Sequence, residues 1–314
     1  MRIGIVTPAF NVAPTIGDTI RSVLEQTHRD WTMVVVDDGS GDDTVSVVKA
    51  FPDRRLRLIS QQNAGVSAAR NRGAALLDCD ALLFLDGDDW LAPSALEVLA
   101  QALDAEPEAI AAVGPYARGG RVYPPPSGNV LEPLLVRNIF VNGGHVLIRR
   151  AAVQPFREDL RYGEDWECWV RLALSAVRAG AGWGSSTTGA VFAAPRGRRP
   201  LLFVRERPGS AYLSMATDPA SFAPCLNAIH GNPALPGVFS TEKRAALRRK
   251  AEAEVLWTIG REMIRHRRRR DGLSWLGKSV AAAPTLRRLL VMAAVAALPP
   301  SWCGPLYPYD RIGR

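Results

Sequence analysis

Cysteine is sparse. Cys79, Cys168, Cys225 and Cys303 are the only four in 314 residues, and no two of them form a C-x-x-C pair. That scatter carries no sign of a zinc site or a dithiol redox centre and reads as reduced thiols of a cytosolic protein. Long apolar runs are also missing. The clearest candidate, residues 289–298, ends at Pro299-Pro300 and is about half of the roughly 20 residues that a membrane-crossing helix needs. No basic flank with an apolar segment behind it opens the chain, so no signal peptide is expected. No internal repeat is present. A hydrophobic fraction of 47% excludes general disorder and is ample for a packed core.

Acidic charge is scarce only in one place. Residues 1–241 hold 23 Lys and Arg against 25 Asp and Glu, whereas residues 242–288 hold 14 against 5. The net charge of +8 therefore belongs to the tail, and the two parts need separate functional readings.

The first hundred residues alternate strand and helix patterns. Apolar strands are expected at 3–6, 31–36, 56–60 and 81–85, with helices at 43–51, 66–77 and 93–103 between and after them. A further helix carries Ile16, Ile20, Val23 and Leu24 behind a Thr15-x-x-Asp18 capping box. Strands separated by helices predict a mainly parallel sheet with right-handed crossovers. Ligands of such sheets bind at the carboxyl ends of the strands. Beyond residue 113 the pattern weakens, and residues 115–144 read as a long Gly- and Pro-rich connection. Strands at 146–148 and 201–204 and a helix at 165–179 follow, and then Leu247, Ala251, Val255, Ile259 and Met263 recur every fourth residue.

Polar clusters sit at the expected strand ends. Thr7-Pro8-Ala9-Phe10-Asn11 follows the first strand, Asp37-Asp38-Gly39-Ser40 the second, and Asp86-Gly87-Asp88-Asp89 the fourth. Carboxylates there can accept hydrogen bonds from a base or ribose, and the alternating Asp86-x-Asp88 pair can hold a divalent cation against a diphosphate. The plain alternative is turn formation. It is preferred for Asp42-Asp43, which suit a helix N-terminus. It is not preferred for Asp86-Gly87-Asp88-Asp89, where crowded carboxylates invite a cation. Residues 63–73 open a helix of small residues that can approach the sheet closely, with Arg70 either reaching an anionic ligand or simply solvated.

Together these motifs resemble family 2 glycosyltransferases, the inverting class with the GT-A fold. The resemblance rests on Thr7 to Asn11, Val36-Asp37-Asp38-Gly39-Ser40, Asn63-Ala64-Gly65 with Ala69-Arg70-Asn71, and Phe84-Leu85-Asp86-Gly87-Asp88-Asp89, and it covers roughly residues 1–210. It implies a Rossmann-like, mainly parallel mixed sheet flanked by helices over 1–215, while the helical spacing and charge noted above make 216–314 a basic, mostly helical region. It implies that Thr7, Pro8, Asp37 and Asp38 hold a uridine-like base and ribose, with Arg70 near the nucleotide. Asp86 and Asp88 look like the D-x-D motif for Mn2+ or Mg2+, with Asp88 the direct ligand.

Gly163-Glu164-Asp165 resembles the Glu-Asp element of that family, which makes Asp165 the expected general base with Glu164 beside it. The alternative is an N-cap for the helix that follows. Trp166 and Trp169 on that helix either stack on a sugar or fill the core. Where relatives read Arg-x-His-Pro-Gly-Ser, this chain has Arg205-Glu206-Arg207-Pro208-Gly209-Ser210. Arg207 cannot ligate a cation but can pair with phosphate. His145 is as readily structural as metal-binding.

The tail reads as an interfacial anchor on an anionic membrane face: arginines on an amphipathic helix, His266 to Arg270, and then a short apolar stretch. A helical subdomain with a solvated basic face is the alternative. Nucleic-acid binding is not expected, because no aromatics interleave with the basic residues. The resulting expectation is a cytoplasmic enzyme, peripheral on the inner membrane face. It moves a sugar from a nucleoside diphosphate, UDP first, to a saccharide or lipid-linked hydroxyl in cell-surface polysaccharide or glycolipid synthesis. Two competitors stand beside it. A sugar-1-phosphate nucleotidyltransferase would need a Gly-rich loop where Thr7 to Asn11 stands, and an inactive nucleotide-sugar-binding scaffold would not need Glu164-Asp165.

Overall fold

The computed structural model describes residues 1–126, 130–178, 192–195, 197–206 and 218–297. The chain forms two compact units, Met1–Val130 with Ile139–Arg205, and Leu131–Asn138 with Glu206–Arg314. In chain order the elements begin β1 (Ile3–Ala9), α1 (Ala13–Leu24), β2 (Trp31–Asp37), α2 (Thr44–Lys49), β3 (Leu56–Ser60), α3 (Val66–Ala75) and β4 (Ala81–Phe84). Then come β5 (Trp90–Leu91), α4 (Ala95–Ala105), β6 (Ala111–Val113), β7 (Tyr116–Arg118), β8 (Arg121–Tyr123) and α5 (Leu131–Val136), the last in the second unit. The first unit resumes with β9 (Val146–Arg149), α6 (Glu164–Arg178), β10 (Phe192–Ala193) and β11 (Leu202–Val204).

The main sheet has the order β10-β6-β9-β4-β1-β2-β3. β3, β2, β1 and β4 are mutually parallel, β9 runs antiparallel between β4 and β6, and β10 is parallel to β6. Alternation along each strand sends side chains to opposite faces. Ile5, Val35 and Leu83 share one core cluster with Ile16 and Ile20 of α1 and Leu96 and Leu99 of α4. Val6 and Val36 face the other way, towards Gly73 of α3. Both faces are thus covered, which is why β1, β2 and β4 are apolar almost throughout.

The small residues of α3 have the geometric role their sequence predicts. A Cβ on Gly73 would fall inside van der Waals contact of Val6 Cγ1 and lie 3.1 Å from Val36 Cγ2. Gly73→Ala is therefore expected to destabilise the unit by about 1–3 kcal/mol through overpacking. Urea denaturation checks this, and an unchanged midpoint would mean that α3 can move off the sheet without cost.

Two local expectations are corrected. Helix α1 begins at Ala13, and its N-cap Val12 uses no side chain of its own, so Thr15 lies inside the helix rather than capping it. The free N–H groups are satisfied from a distance. Asp42 accepts from Ala13 N at 3.0 Å, and Thr44 Oγ1 accepts from Val12 N at 2.9 Å. Asp42 also accepts from Thr44 N at the start of α2, so it serves two helix N-termini. The stretch 115–144 is not one long connection. β7 and β8 form a hairpin across Gly119-Gly120, whose φ values of 55° and 71° favour glycine. With β5 and β11 they make a second, four-stranded sheet in the order β5-β11-β7-β8.

The second unit is helical: α5, α7 (Ala223–His230), α8 (Thr241–Arg265), α9 (Arg269–Ala282) and α10 (Leu286–Ala297). Leu247, Ala251, Val255, Ile259 and Met263 of α8 are all buried, as their spacing predicts. Helices α8 and α9 come close because Gly260 and Gly272 meet at their crossing, where a Cβ on Gly272 would lie 2.7 Å from Gly260 O.

Candidate active site

Register places the polar clusters together. Asp37 pairs with Ala9 across β2 and β1, and Phe84 pairs with Val6 across β4 and β1. The segments that leave these strands therefore share the carboxyl edge of the parallel half of the sheet.

At the β2 end, Asp37 and Asp38 are both buried. Asp37 Oδ1 accepts from Ser40 N at 3.1 Å. Asp38 organises the loop that enters α3: Oδ1 accepts from Gln61 Nε2 at 2.7 Å and from Ala64 N at 2.9 Å, and Oδ2 accepts from Gly65 N at 2.8 Å. Gly39 has φ 78°, and a Cβ there would sit 3.0 Å from Asn63 N. Asn11 Oδ1 accepts from Gly41 N at 2.8 Å, which ties this loop to the end of β1. Thr7 is fully buried beneath the edge, its hydroxyl without a hydrogen-bond partner, whereas Pro8 is partly exposed.

At the β4 end the three carboxylates have different surroundings. Asp86 Oδ1 accepts from Arg70 Nη2 at 2.9 Å. Asp89 is buried and accepts from Asn142 Nδ2 at 2.5 Å and from Arg205 N at 2.9 Å. Burial, followed by the charges of Asp86 and Asp88, holds the Asp89 carboxyl well above its usual range. Asp88, like Asp86, is partly exposed, and Arg205 Nε donates to the Asp88 backbone carbonyl at 3.0 Å. The Arg205 guanidinium also pairs with Asp18 at 2.8 Å and lies 4.9 Å from the Trp90 ring centre. Arg207 lies outside the described residues, as do Pro208, Gly209 and Ser210.

Arg70 joins this edge to α6. It is 5% exposed and forks between Asp86 and Glu164, with Nη1 2.9 Å from Glu164 Oε1, while its guanidinium lies 5.0 Å from the Phe156 ring centre. The adjacent Asn71 clamps the segment that leads to α6. It accepts from Phe156 N at 2.7 Å and donates to Phe156 O at 2.9 Å. Asp165 takes a hydrogen bond from Trp166 N at 2.6 Å. Burial and then the Glu164 charge push its carboxyl up to about 7, against the opposing pull of Arg70. The same carboxylates outweigh burial for Arg70 itself and hold it firmly protonated.

The structure thus unites Arg70, Asp86, Glu164 and Asp165 in one charged cluster. It does not turn Arg70 towards solvent. Trp166 and Trp169 are both buried, and Trp169 packs edge-on against Phe140 and Phe156, which resolves the open choice in favour of core. His145 is buried, bonded through Nδ1 to Gly114 O at 2.7 Å and pushed down to about 4 by burial, so it is a neutral structural histidine. Among the described residues, no group of three or more His, Cys, Asp or Glu side chains is arranged to hold a metal ion. Asn71, Phe156 and Arg205 are contributors that motif reading missed. Asn71 stood inside a quoted motif but carried no assigned task, and Phe156 had no signal at all.

A doubly covered, mostly parallel sheet with acidic strand ends and a helical C-terminal region is the GT-A architecture of glycosyltransferases. Solved structures of that fold align with most of this chain. TarS of S. aureus, residues 1–349 in complex with UDP-GlcNAc, has a TM-score of 0.59 at 17% identity, covering 95% of this chain and 88% of that one. The mannosyltransferase PcManGT of Pyrobaculum calidifontis, in complex with GDP-Man and Mn2+, has a TM-score of 0.56 at 20% identity, covering 98% and 81%. Residues 4–156, just under half of the chain, match the family described as Glycosyl transferase family 2.

Sequence relatives agree. Glycosyltransferase GlyA of Streptococcus pneumoniae is 36% identical over 117 residues, which is 37% of this chain and 17% of that protein. The UDP-Glc:alpha-D-GlcNAc-diphosphoundecaprenol beta-1,3-glucosyltransferase WfgD of Escherichia coli is 38% identical over 92 residues, 29% of this chain and 36% of that protein. The matched segment spans less than two-fifths of either relative.

Proposed function

We propose that this chain transfers a sugar from a nucleoside diphosphate, a UDP-sugar, to a hydroxyl acceptor with inversion at the anomeric carbon. The observation that carries this reading is the placement of Asp165. It is a carboxylate raised to about 7, held at the start of α6 in the same cluster as the strand-end residue Asp86. A base with a pKa near the working pH is well matched to taking a proton from a hydroxyl. In the step, Asp165 accepts the acceptor proton and the oxygen forms its bond to the anomeric carbon from the opposite face. The bond to the diphosphate breaks, and the nucleoside diphosphate leaves with the electron pair. Glu164 and Arg70 hold Asp165 in its environment. Thr7, Pro8, Asp37 and Asp38 shape the nucleotide edge, and Arg207 is assigned to the diphosphate.

A divalent cation, Mn2+ or Mg2+, supplies charge stabilisation on the diphosphate when bound. The donor set fits such a shared ion: Asp88 offers a hard oxygen ligand beside Asp86, too few for an all-protein cage but enough for an ion completed by phosphate and water. The names of the relatives support UDP-linked donors and a diphosphoundecaprenol-linked acceptor. We therefore assign the chain to cell-surface polysaccharide or glycolipid synthesis at the cytoplasmic face of an anionic membrane. No described helix is long and apolar enough to cross a membrane.

Calorimetric titration with UDP and GDP, each with and without Mn2+, tests the donor site. UDP is expected to bind only with the metal, and Asp88→Ala should weaken that binding at least tenfold. Failure of both nucleotides to bind under every condition would overturn the donor-site reading and leave the scaffold alternative.

A further inference from the structure

Helix α10 buries an arginine beside an apolar cluster of Val291 and Val295, yet exposes leucines on its outer side. Its inward side carries Arg288, 7% exposed, which pairs with Glu254, donates to Ala283 O at 2.7 Å and lies 5.8 Å from the Trp257 ring centre. Val295 is buried on the same side. The outward side is apolar. Leu286, Leu289 and Leu290 are 73%, 44% and 62% exposed, at the i, i+3, i+4 spacing that puts side chains on one helical face. Ala293 and Ala297 extend this strip, and both are exposed. A helix on an ordinary soluble surface turns charged and polar residues outward.

Cations stand at both ends of the strip. Arg287 is exposed in its first turn. At the far end, Arg269 Nη2 donates to Val295 O at 2.5 Å and Ala296 O at 2.7 Å, which fixes the run Arg267 to Arg270 beside the C-terminus of α10. Arg267, Arg268 and Arg270 are exposed, with Arg268 also paired to Asp271. Residues 267–290 hold seven basic residues and one acidic, so the surroundings of the strip are strongly positive.

We propose that the outward face of α10 docks on an anionic lipid surface, with Leu286, Leu289 and Leu290 entering the headgroup layer and the flanking arginines on lipid phosphates. Length decides between lying and spanning. Twelve residues make a helix of about 18 Å, far short of a hydrocarbon core of about 30 Å, so α10 lies in the interface. Charge decides between lipid and a second copy of the chain. Two such faces brought together would set arginines against arginines in either orientation. The inference deepens the membrane reading above and is independent of the transfer chemistry.

The test is flotation of the full chain with phosphatidylcholine vesicles and with vesicles containing one-third phosphatidylglycerol. The chain should float with the anionic vesicles only, and Leu289→Asp with Leu290→Asp should reduce the bound fraction at least tenfold. Both positions are exposed, so the double variant should keep the wild-type thermal midpoint. Arg267→Gln with Arg270→Gln should weaken binding less and flatten its salt dependence. Wild-type chain that ignores anionic vesicles would overturn the membrane reading together with this face. Binding that survives the leucine replacements would overturn this face alone and leave the membrane reading standing. A lipid-free dimer that those replacements dissolve would assign the face to a second copy and overturn the proposal.

Discussion

Replacing Arg70 with methionine is expected to destabilise the first unit by about 3–5 kcal/mol at pH 8, the cost of leaving buried charges unpaired. The guanidinium is 6% exposed and is the shared counter-charge of Asp86 and Glu164, at 2.9 Å from each, with Asp165 nearby. Without it, three carboxylates face one another beside Phe156. Asp86 retains 27% exposure, so its share is softened by water and the lower end of the range is the better expectation. The loss should shrink below about pH 7, where Asp165 takes up a proton and one of the three charges disappears. Arg70→Lys should restore only part of the stability, because one ammonium cannot span both partners as the planar fork does. Urea denaturation of both variants at pH 4 and pH 8 is decisive. Equal losses at the two values would show that Arg70 acts by packing on Phe156 and not by charge.

Asp165→Asn is expected to lower turnover by roughly 10²–10⁴-fold while leaving UDP affinity unchanged. The wild-type rate should rise with pH and level off above about 7, because only the deprotonated Asp165 accepts a proton. The same substitution should be stabilising. A carboxyl raised from about 4 in the unfolded chain to about 7 in the folded one makes wild-type stability fall as pH climbs between those values. Asparagine has no such titration and can still accept from Trp166 N. The variant's advantage should therefore be negligible near pH 4 and largest above pH 7. A variant that turns over as fast as wild type would remove Asp165 from the base position, whatever its stability.

Residues that act locally were the legible ones. The apolar strands β1, β2 and β4 announce themselves because both sheet faces are covered, and α8 does so because its buried side chains recur every fourth residue. Gly73 was readable as a close-approach residue from the small side chains around it. Features made by distant pairs were not readable. The cap of α1 comes from Asp42 and Thr44, 29 and 32 residues from the groups they serve, so the local Thr15-x-x-Asp18 pattern misled. The β7–β8 hairpin has strands of three residues with Arg and Tyr at their ends, too short for a period-two signal, although Gly119-Gly120 marked its turn. Within the site, the acidic motifs at the strand ends were visible in order and spacing. What Arg70 does was not, because its partner Glu164 lies 94 residues on and no spacing rule links them.

The position of β9 bears on how the sheet can be assembled. It fills the gap between β4 and β6, which are successive main-sheet strands in the chain yet never touch. During synthesis from the N-terminus, β4 is complete about sixty residues before β9 begins. At roughly 5–20 residues per second this leaves a fully apolar strand with one open edge for about 3–12 seconds. Such an edge is a template for pairing with other chains. The growing polypeptide is therefore most prone to aggregate in that interval, and truncations ending between residues 85 and 145 should be insoluble where chains extending beyond β9 are not.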